Sequence, residues 1–234
     1  MSHTTGIQRL KRLLGGPVLA LDGDVGTIKD FYFDDDTWTV RYVVVDTGKW
    51  LSGRLVLIPL WALHAPDWDQ ARIPVRLTRA QVQRSPDIDT HRPVSRQAEA
   101  TSLSYYGYPF YWGGPALWGA VPAPALGAGV PPPPMSPAPP DADMRETHLR
   151  SCREVTGYNI RARDGEIGHV DDFVIDADTW GIQHLLIDTS NWIGGRSVLL
   201  SPTSVQRVSW AERTAEVSMS KESVARSPEP KLVK

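Results

Sequence analysis

Asp22-Gly23-Asp24-Val25-Gly26 and Asp164-Gly165-Glu166-Ile167-Gly168 are one turn written twice, 142 positions apart. The register runs on without a gap. Asp36-Thr37-Trp38 falls on Asp178-Thr179-Trp180, Asp46-Thr47 on Asp188-Thr189, and Trp50 on Trp192. Gly53-Arg54 falls on Gly195-Arg196, Trp68 on Trp210, and Arg84-Ser85-Pro86 on Arg226-Ser227-Pro228. Between Gly15 and Pro86, 24 of the 72 pairs are identical, several-fold above chance, so the chain carries one domain twice. Three parts follow: repeat one over residues 12–90, a linker over 91–148, and repeat two over 149–230. A domain of this size buries only a modest core, which gives two of them reason to pack together.

Within each repeat the signals are β. An Asp-Gly turn at Asp22-Gly23 opens a strand over Gly26 to Phe33. Thr39 to Val45 is a second strand, and its all-apolar end, Tyr42-Val43-Val44-Val45, predicts burial on both faces. Asp34-Asp35-Asp36-Thr37 between them is a polar turn, so the two strands form a hairpin. A third strand runs from Arg54 to Ile58, matched by Arg196 to Leu200. A short helical turn follows, with Ser201 as cap and Pro202 at the first helical position. Trp68 to Leu77 reads as one further strand, mirrored by Trp210 to Met219. Thr78-Arg79-Ala80-Gln81 fits a capping box, and Ser220 caps the counterpart helix. The expected fold is mainly β: two small antiparallel barrels, each with a short C-terminal helix, packed as a pseudo-two-fold pair.

The Asp-Gly-Asp/Glu-Val/Ile-Gly turn, the Asp-x-Asp-Thr-Trp hairpin, the aliphatic run ending Asp-Thr and the Val-Leu strand resemble the PRC-barrel domain in both repeats. That module is known from the cytoplasmic domain of the photosynthetic reaction-centre H subunit and from one end of a bacterial 16S rRNA processing factor. The resemblance implies a bacterial, non-catalytic module for protein binding or assembly. By analogy it also offers two alternatives, a membrane-associated accessory factor and a ribosome or RNA assembly factor. Against the first, no membrane helix is expected ahead of the domain; against the second, a second copy is expected where that factor has a different barrel.

Composition narrows the chemistry. A net charge of -2 supplies no global field for nucleic acid or anionic lipid. One cysteine, Cys152, excludes an intramolecular disulfide and a cysteine-based zinc site. The first residues lack the apolar run of a secretory signal, and the stretch from Gly113 to Val130 is broken by prolines, so a soluble cytoplasmic chain is expected. Asp22-x-Asp24-x-Gly26 opens like a calcium loop but places Gly26, Thr27 and Phe33 where an EF-hand needs a ligand, glycine and glutamate. The six histidines are unclustered and none is shared between the repeats. Ser201 and Cys152 sit in no nucleophile motif. No catalytic residue, metal or cofactor is therefore assigned. Six acids between Asp22 and Asp36 form an acidic rim suited to a basic partner.

Partner-binding candidates come from aromatics and arginines. Trp38/Trp180, Trp50/Trp192 and Trp68/Trp210 are paired between repeats, and aromatics commonly fill the ends of small barrels. Trp50 and Trp192 precede a glycine-containing loop ending in Arg54 and Arg196, residue types enriched in binding hot spots. The linker holds more than half of the chain's 20 prolines, a density that disfavours regular helix or sheet. Yet Tyr105, Tyr106, Tyr108, Phe110, Tyr111, Trp112 and Trp118 crowd into 14 of its residues. Flexible spacers are poor in aromatics. The arm either packs on a barrel of its own chain or presents a sticky surface to a protein or a membrane. No Lys or Arg lies between Glu99 and Pro140, which argues against stacking on nucleic acid.

Overall fold

A computed structural model describes residues 6–51, 53–86, 96–108, 149–190 and 195–230. The chain runs β1 (Ile7–Arg9), β2 (Pro17–Ala20), β3 (Gly23–Asp34), β4 (Thr39–Asp46), β5 (Leu55–Pro59) and β6 (Ile73–Pro74), then α1 (Arg79–Arg84) and α2 (Arg96–Tyr106). It continues through β7 (Leu149–Ser151), α3 (Cys152–Val155), β8 (Asn159–Ala162), β9 (Gly165–Asp176), β10 (Ile182–Asp188) and β11 (Ser197–Leu200) to β12 (Val205–Ser209), β13 (Thr214–Val217) and α4 (Lys221–Ala225). The shift of 142 that aligns the repeats carries β1, β2 and β3 onto β7, β8 and β9 with identical bounds.

The compact units do not follow the order of the sequence. One unit is Arg12–Arg150; the other joins Met1–Lys11 to Ser151–Lys234. In the first unit the strand order is β5-β4-β3-β2-β6, with β7 pairing β3. In the second it is β11-β10-β9-β8-β13-β12, with β1 pairing β9. Ile7 stands opposite Asp176, Gln8 opposite Ile175 and Arg9 opposite Val174, and the Ala177 amide donates to the Gly6 carbonyl. Because the shift carries β1 onto β7, repeat one reaches back from residue 12 to Ile7, and each sheet is completed by the strand that opens the other repeat.

Both sheets are mixed, and neither closes, which corrects the expectation of antiparallel barrels. β2 and β6 run parallel, as do β8 and β13. No ladder joins the two ends of either strand order among the described residues. In the second unit the free edge of β11 is met instead by the chain after α4, where the Leu199 amide donates to the Pro228 carbonyl. The interval read as a single strand from Trp210 to Met219 also differs. Trp210 lies in the turn between β12 and β13, and Arg213 turns the chain in a left-handed conformation at φ 51°. In repeat one the same turn is at Ala71, also φ 51°, and leaves Ile73–Pro74 as the strand.

β3 and β9 are the long strands on which each unit is built, and two local features shape them. Lys29 and Asp171 are bulged out of register, since Ile28 and Asp30 face Val45 and Val44, and Val170 and Asp172 face Ile187 and Leu186. The bulge is held by the next carboxylate: Asp30 accepts from the Phe31 amide at 2.7 Å and Asp172 from that of Phe173 at 2.8 Å. Gly26 (φ 136°) and Gly168 (φ 73°) lie against the backbone of the neighbouring strand, where a Cβ would overlap the carbonyl of Asp46 or Asp188. The core below is aliphatic and aromatic, with Phe31, Phe33, Val43 and Ile58 fully buried in the first unit and Phe173, Trp180, Leu185 and Ile187 buried in the second.

Gly26→Ala combines that overlap with an unfavourable backbone angle. It is expected to destabilise the chain by about 2–4 kcal/mol, read as a lowered urea midpoint at unchanged slope.

Candidate functional site

The residues that the repeats share have local work in the fold. The Asp22 carboxylate accepts from the Arg79 amide at 2.7 Å, and Asp164 from that of Lys221 at 2.8 Å. The acidic turn thereby caps the first free N–H of α1 and α4. Those helices carry the caps expected for them: a full capping box at Thr78 and Gln81, and Ser220 accepting from Ser223. Asp34 accepts from the amides of Asp36 and Thr37, and Asp176 from those of Asp178 and Thr179. These bonds, with the Thr179 hydroxyl, hold the Asp176 carboxyl below its ordinary pKa although burial opposes them. Trp38 and Trp180 follow in the left-handed conformation at φ 50° and 60°. Trp38 stacks on Phe33 at 5.4 Å, and Trp180 is buried.

Arg54 and Arg196 are held inside their own units. Arg54 donates to the carbonyls of Gln83 (2.9 Å) and Ser85, and Arg196 to the carbonyl of Ala225. Cations at a helix C-terminus satisfy its free carbonyls. Arg196 also pairs with Glu229 at 2.8 Å. Their geometry is therefore that of helix caps. Thr47 and Thr189 clasp the same loops, each hydroxyl donating to the carbonyl of Arg54 or Arg196 at 2.8 Å. The side chain of Trp50, and Trp192 entirely, lie outside the described residues.

The aromatic arm begins as a helix, where the proline-rich linker was expected to lack one. Residues 96–106 contain neither Pro nor Gly, and Gly107 ends the helix at φ 73°. α2 packs on its own unit. Leu103 joins Tyr32, Tyr42, Val44, Leu57 and Leu149 in one buried cluster, with Ala100 and Tyr108 against it. Glu99, not singled out by sequence reasoning, is fully buried and accepts from the Tyr42 hydroxyl at 3.2 Å. Tyr105 donates to the Gln81 carbonyl at 2.7 Å and meets Tyr106 edge-on at 4.9 Å. Tyr108 stacks over Trp61 at 6.4 Å. Tyr105 remains 38% exposed, whereas Tyr106 and Tyr108 are half-buried. Phe110, Tyr111 and Trp112 lie outside the described residues, as does the remainder of the linker to residue 148. Among the described residues no cluster of His, Cys, Asp and Glu is placed to hold a metal, and no helix is long and apolar enough to cross a membrane.

Geometry thus defines a mainly β module whose shared polar residues cap turns and helices. Residues 7–71 match the PRC-barrel domain family. The match begins at Ile7, the first residue of β1, and ends in the turn before β6. No curated protein matches the chain.

Burial pushes the Tyr106 hydroxyl up to about 12, with Ser85 offsetting only part of the effect. The folded chain then keeps this proton longer than the unfolded chain does. Its contribution to stability is intact below about pH 10 and is lost as the pH rises toward 12. Tyr106→Phe is expected to flatten that alkaline limb of the urea-midpoint profile, by on the order of 1–2 kcal/mol across it.

Proposed function

We propose that this chain is a non-catalytic protein-binding and assembly module built from two PRC-barrel-like domains. One observation carries the reading. The positions common to the repeats are helix caps, turn caps and a strand-crossing glycine, at Asp22/Asp164, Asp34/Asp176, Arg54/Arg196 and Gly26/Gly168. What the two copies have in common is therefore a frame. The frame displays two surfaces for a partner: the loops carrying the shared Trp50 and Trp192, and the arm with Tyr105, Phe110, Tyr111 and Trp112, which only repeat one's side of the chain carries. The partner in this reading is a protein, since the aromatic rings of the arm, with no Lys or Arg between Glu99 and Pro140, suit an apolar protein surface better than a phosphate backbone.

The proposal includes pairing of the two repeats within one chain, which their completion by exchanged strands supports. Nitrogen-15 relaxation is expected to give one rotational correlation time for residues of both repeats; two independent values would overturn this part.

Affinity capture from native lysate tests the binding reading. The double variant Trp50→Ala/Trp192→Ala is expected to lose the captured partner while its unfolding free energy stays within about 1 kcal/mol of the parent. Loss of folding together with binding would assign both rings to the core instead. Recovery of liposomes in place of a protein partner, abolished by deleting residues 102–140, would favour a membrane surface.

A further inference from the structure

We propose that a charge pattern on the strand-acceptor edges selects the exchanged topology over one in which each repeat keeps its own first strand. Both acceptors are built alike, and both donors occupy the same place in their repeat, so backbone pairing alone distinguishes them poorly. A strand kept at home is also stereochemically simple. Arg9 would stand opposite Tyr32, the equivalent of Val174, while Pro17 already pairs with Thr27 further along the same strand. The family match, contiguous from Ile7 to Ala71, likewise includes β1 with strands β2 to β5 that it leaves.

The side chains differ where the backbones do not. Arg9 pairs with Asp172 at 2.8 Å and with Asp171 at 3.1 Å, and Lys11 reaches Asp171 at 3.3 Å. Asp171 is the bulged residue of β9, and the bulge turns it toward this pair. At the same position in repeat one the bulged residue is Lys29. At home, Arg9 and Lys11 would exchange two attractions for two repulsions, while Asp30 would still replace Asp172. The reciprocal strand is matched in the same sense. Arg150 of β7 pairs with Asp35 at 2.6 Å, and the position equivalent to Asp35 in its own repeat is Ala177. Arg153, at the place of Lys11, runs against the pattern, since at home it would meet Asp171. By the same equivalence the exchanged topology sets Lys29 at the place of Asp171 for Arg153, so two terms oppose; three attractions and two avoided repulsions outweigh them. Like charges brought together against the wrong acceptor are a general source of specificity.

The test uses the full chain with Cys152→Ser, a protease site inserted after Gly127, and the pair Gln8→Cys/Ile175→Cys, which stand opposite each other across β1 and β9. The chain is refolded from urea, oxidised, and cut at the inserted site. In the exchanged topology the disulfide joins the two fragments; with β1 at home they separate in denaturant. The natural charges are expected to give joined fragments. Exchanging the acceptor charges (Lys29→Asp, Asp171→Lys, Asp35→Ala, Ala177→Asp) is expected to lower the ratio of joined to separate fragments at least about tenfold. An unchanged ratio in a variant that folds by circular dichroism would overturn the proposal, as would separate fragments from the natural chain. Lys29→Asp alone, at an exposed position, decides the matter if the fourfold variant does not fold: about a threefold drop supports the charge pattern, and no drop overturns it.

Discussion

The close approach of Gly26 to the carbonyl of Asp46, repeated between Gly168 and Asp188, is the constraint on which each unit depends. It brings β3 against the end of β4, and β9 against the end of β10, without the gap a side chain would require. The Asp-Thr pair at that crossing then closes the following loop. Asp46 accepts from Gly48, Asp188 from Ser190, and the two threonines reach the carbonyls of Arg54 and Arg196. Those arginines in turn hold the ends of α1 and α4, whose starts are capped by Asp22 and Asp164. A single chain of contacts thus links the opening turn, the sheet and the closing helix of each unit. It accounts for much of the identity between two otherwise divergent sequences.

Strand exchange changes what a repeat means in this molecule. A copy of the sequence does not correspond to a unit of the structure, because each unit uses the first strand of the other copy. Duplication makes this available at little cost, since two equivalent acceptors and two equivalent donors are tethered at high effective concentration. Divergence at the bulge and at the hairpin turn then gives the two acceptors different charges. α2 adds to the first unit only, burying Leu103 against Leu149 of the exchanged strand. The surface that distinguishes the copies is therefore built on the same elements that hold the exchanged strand.

Local features were legible in the sequence to the degree that their cause was local. The hairpin at Asp34–Asp36 and the capping box at Thr78 need only the hydrogen bonds of residues two or three positions away, and both stand as read. The turn at Trp210–Arg213 was missed because the residue that takes the left-handed conformation is an arginine, and in repeat one an alanine, so no glycine marked it. α2 was missed because the prolines that characterise the linker as a whole are absent from residues 96–106. The spacing of Glu99, Leu103 and Tyr106 was a signal that could have found it. Arg54 and Arg196 looked like presented cations because their partners, the helix C-termini, lie about 30 positions ahead in the chain.

By itself the sequence determined that one pattern recurs at a shift of 142, that the chain is mainly β, and where the hairpin turns and terminal helices fall. These follow from periodicity, turn chemistry and caps, which act over a few residues. Tertiary structure alone decided that the sheets are mixed and open, that a buried glutamate anchors the aromatic arm, and that the first strands are exchanged. The physical reason is equivalence. When two donors and two acceptors have the same backbone pattern, no local signal separates one pairing from the other, and the outcome rests on charges such as Asp171 and Lys29 that meet their partners only after folding.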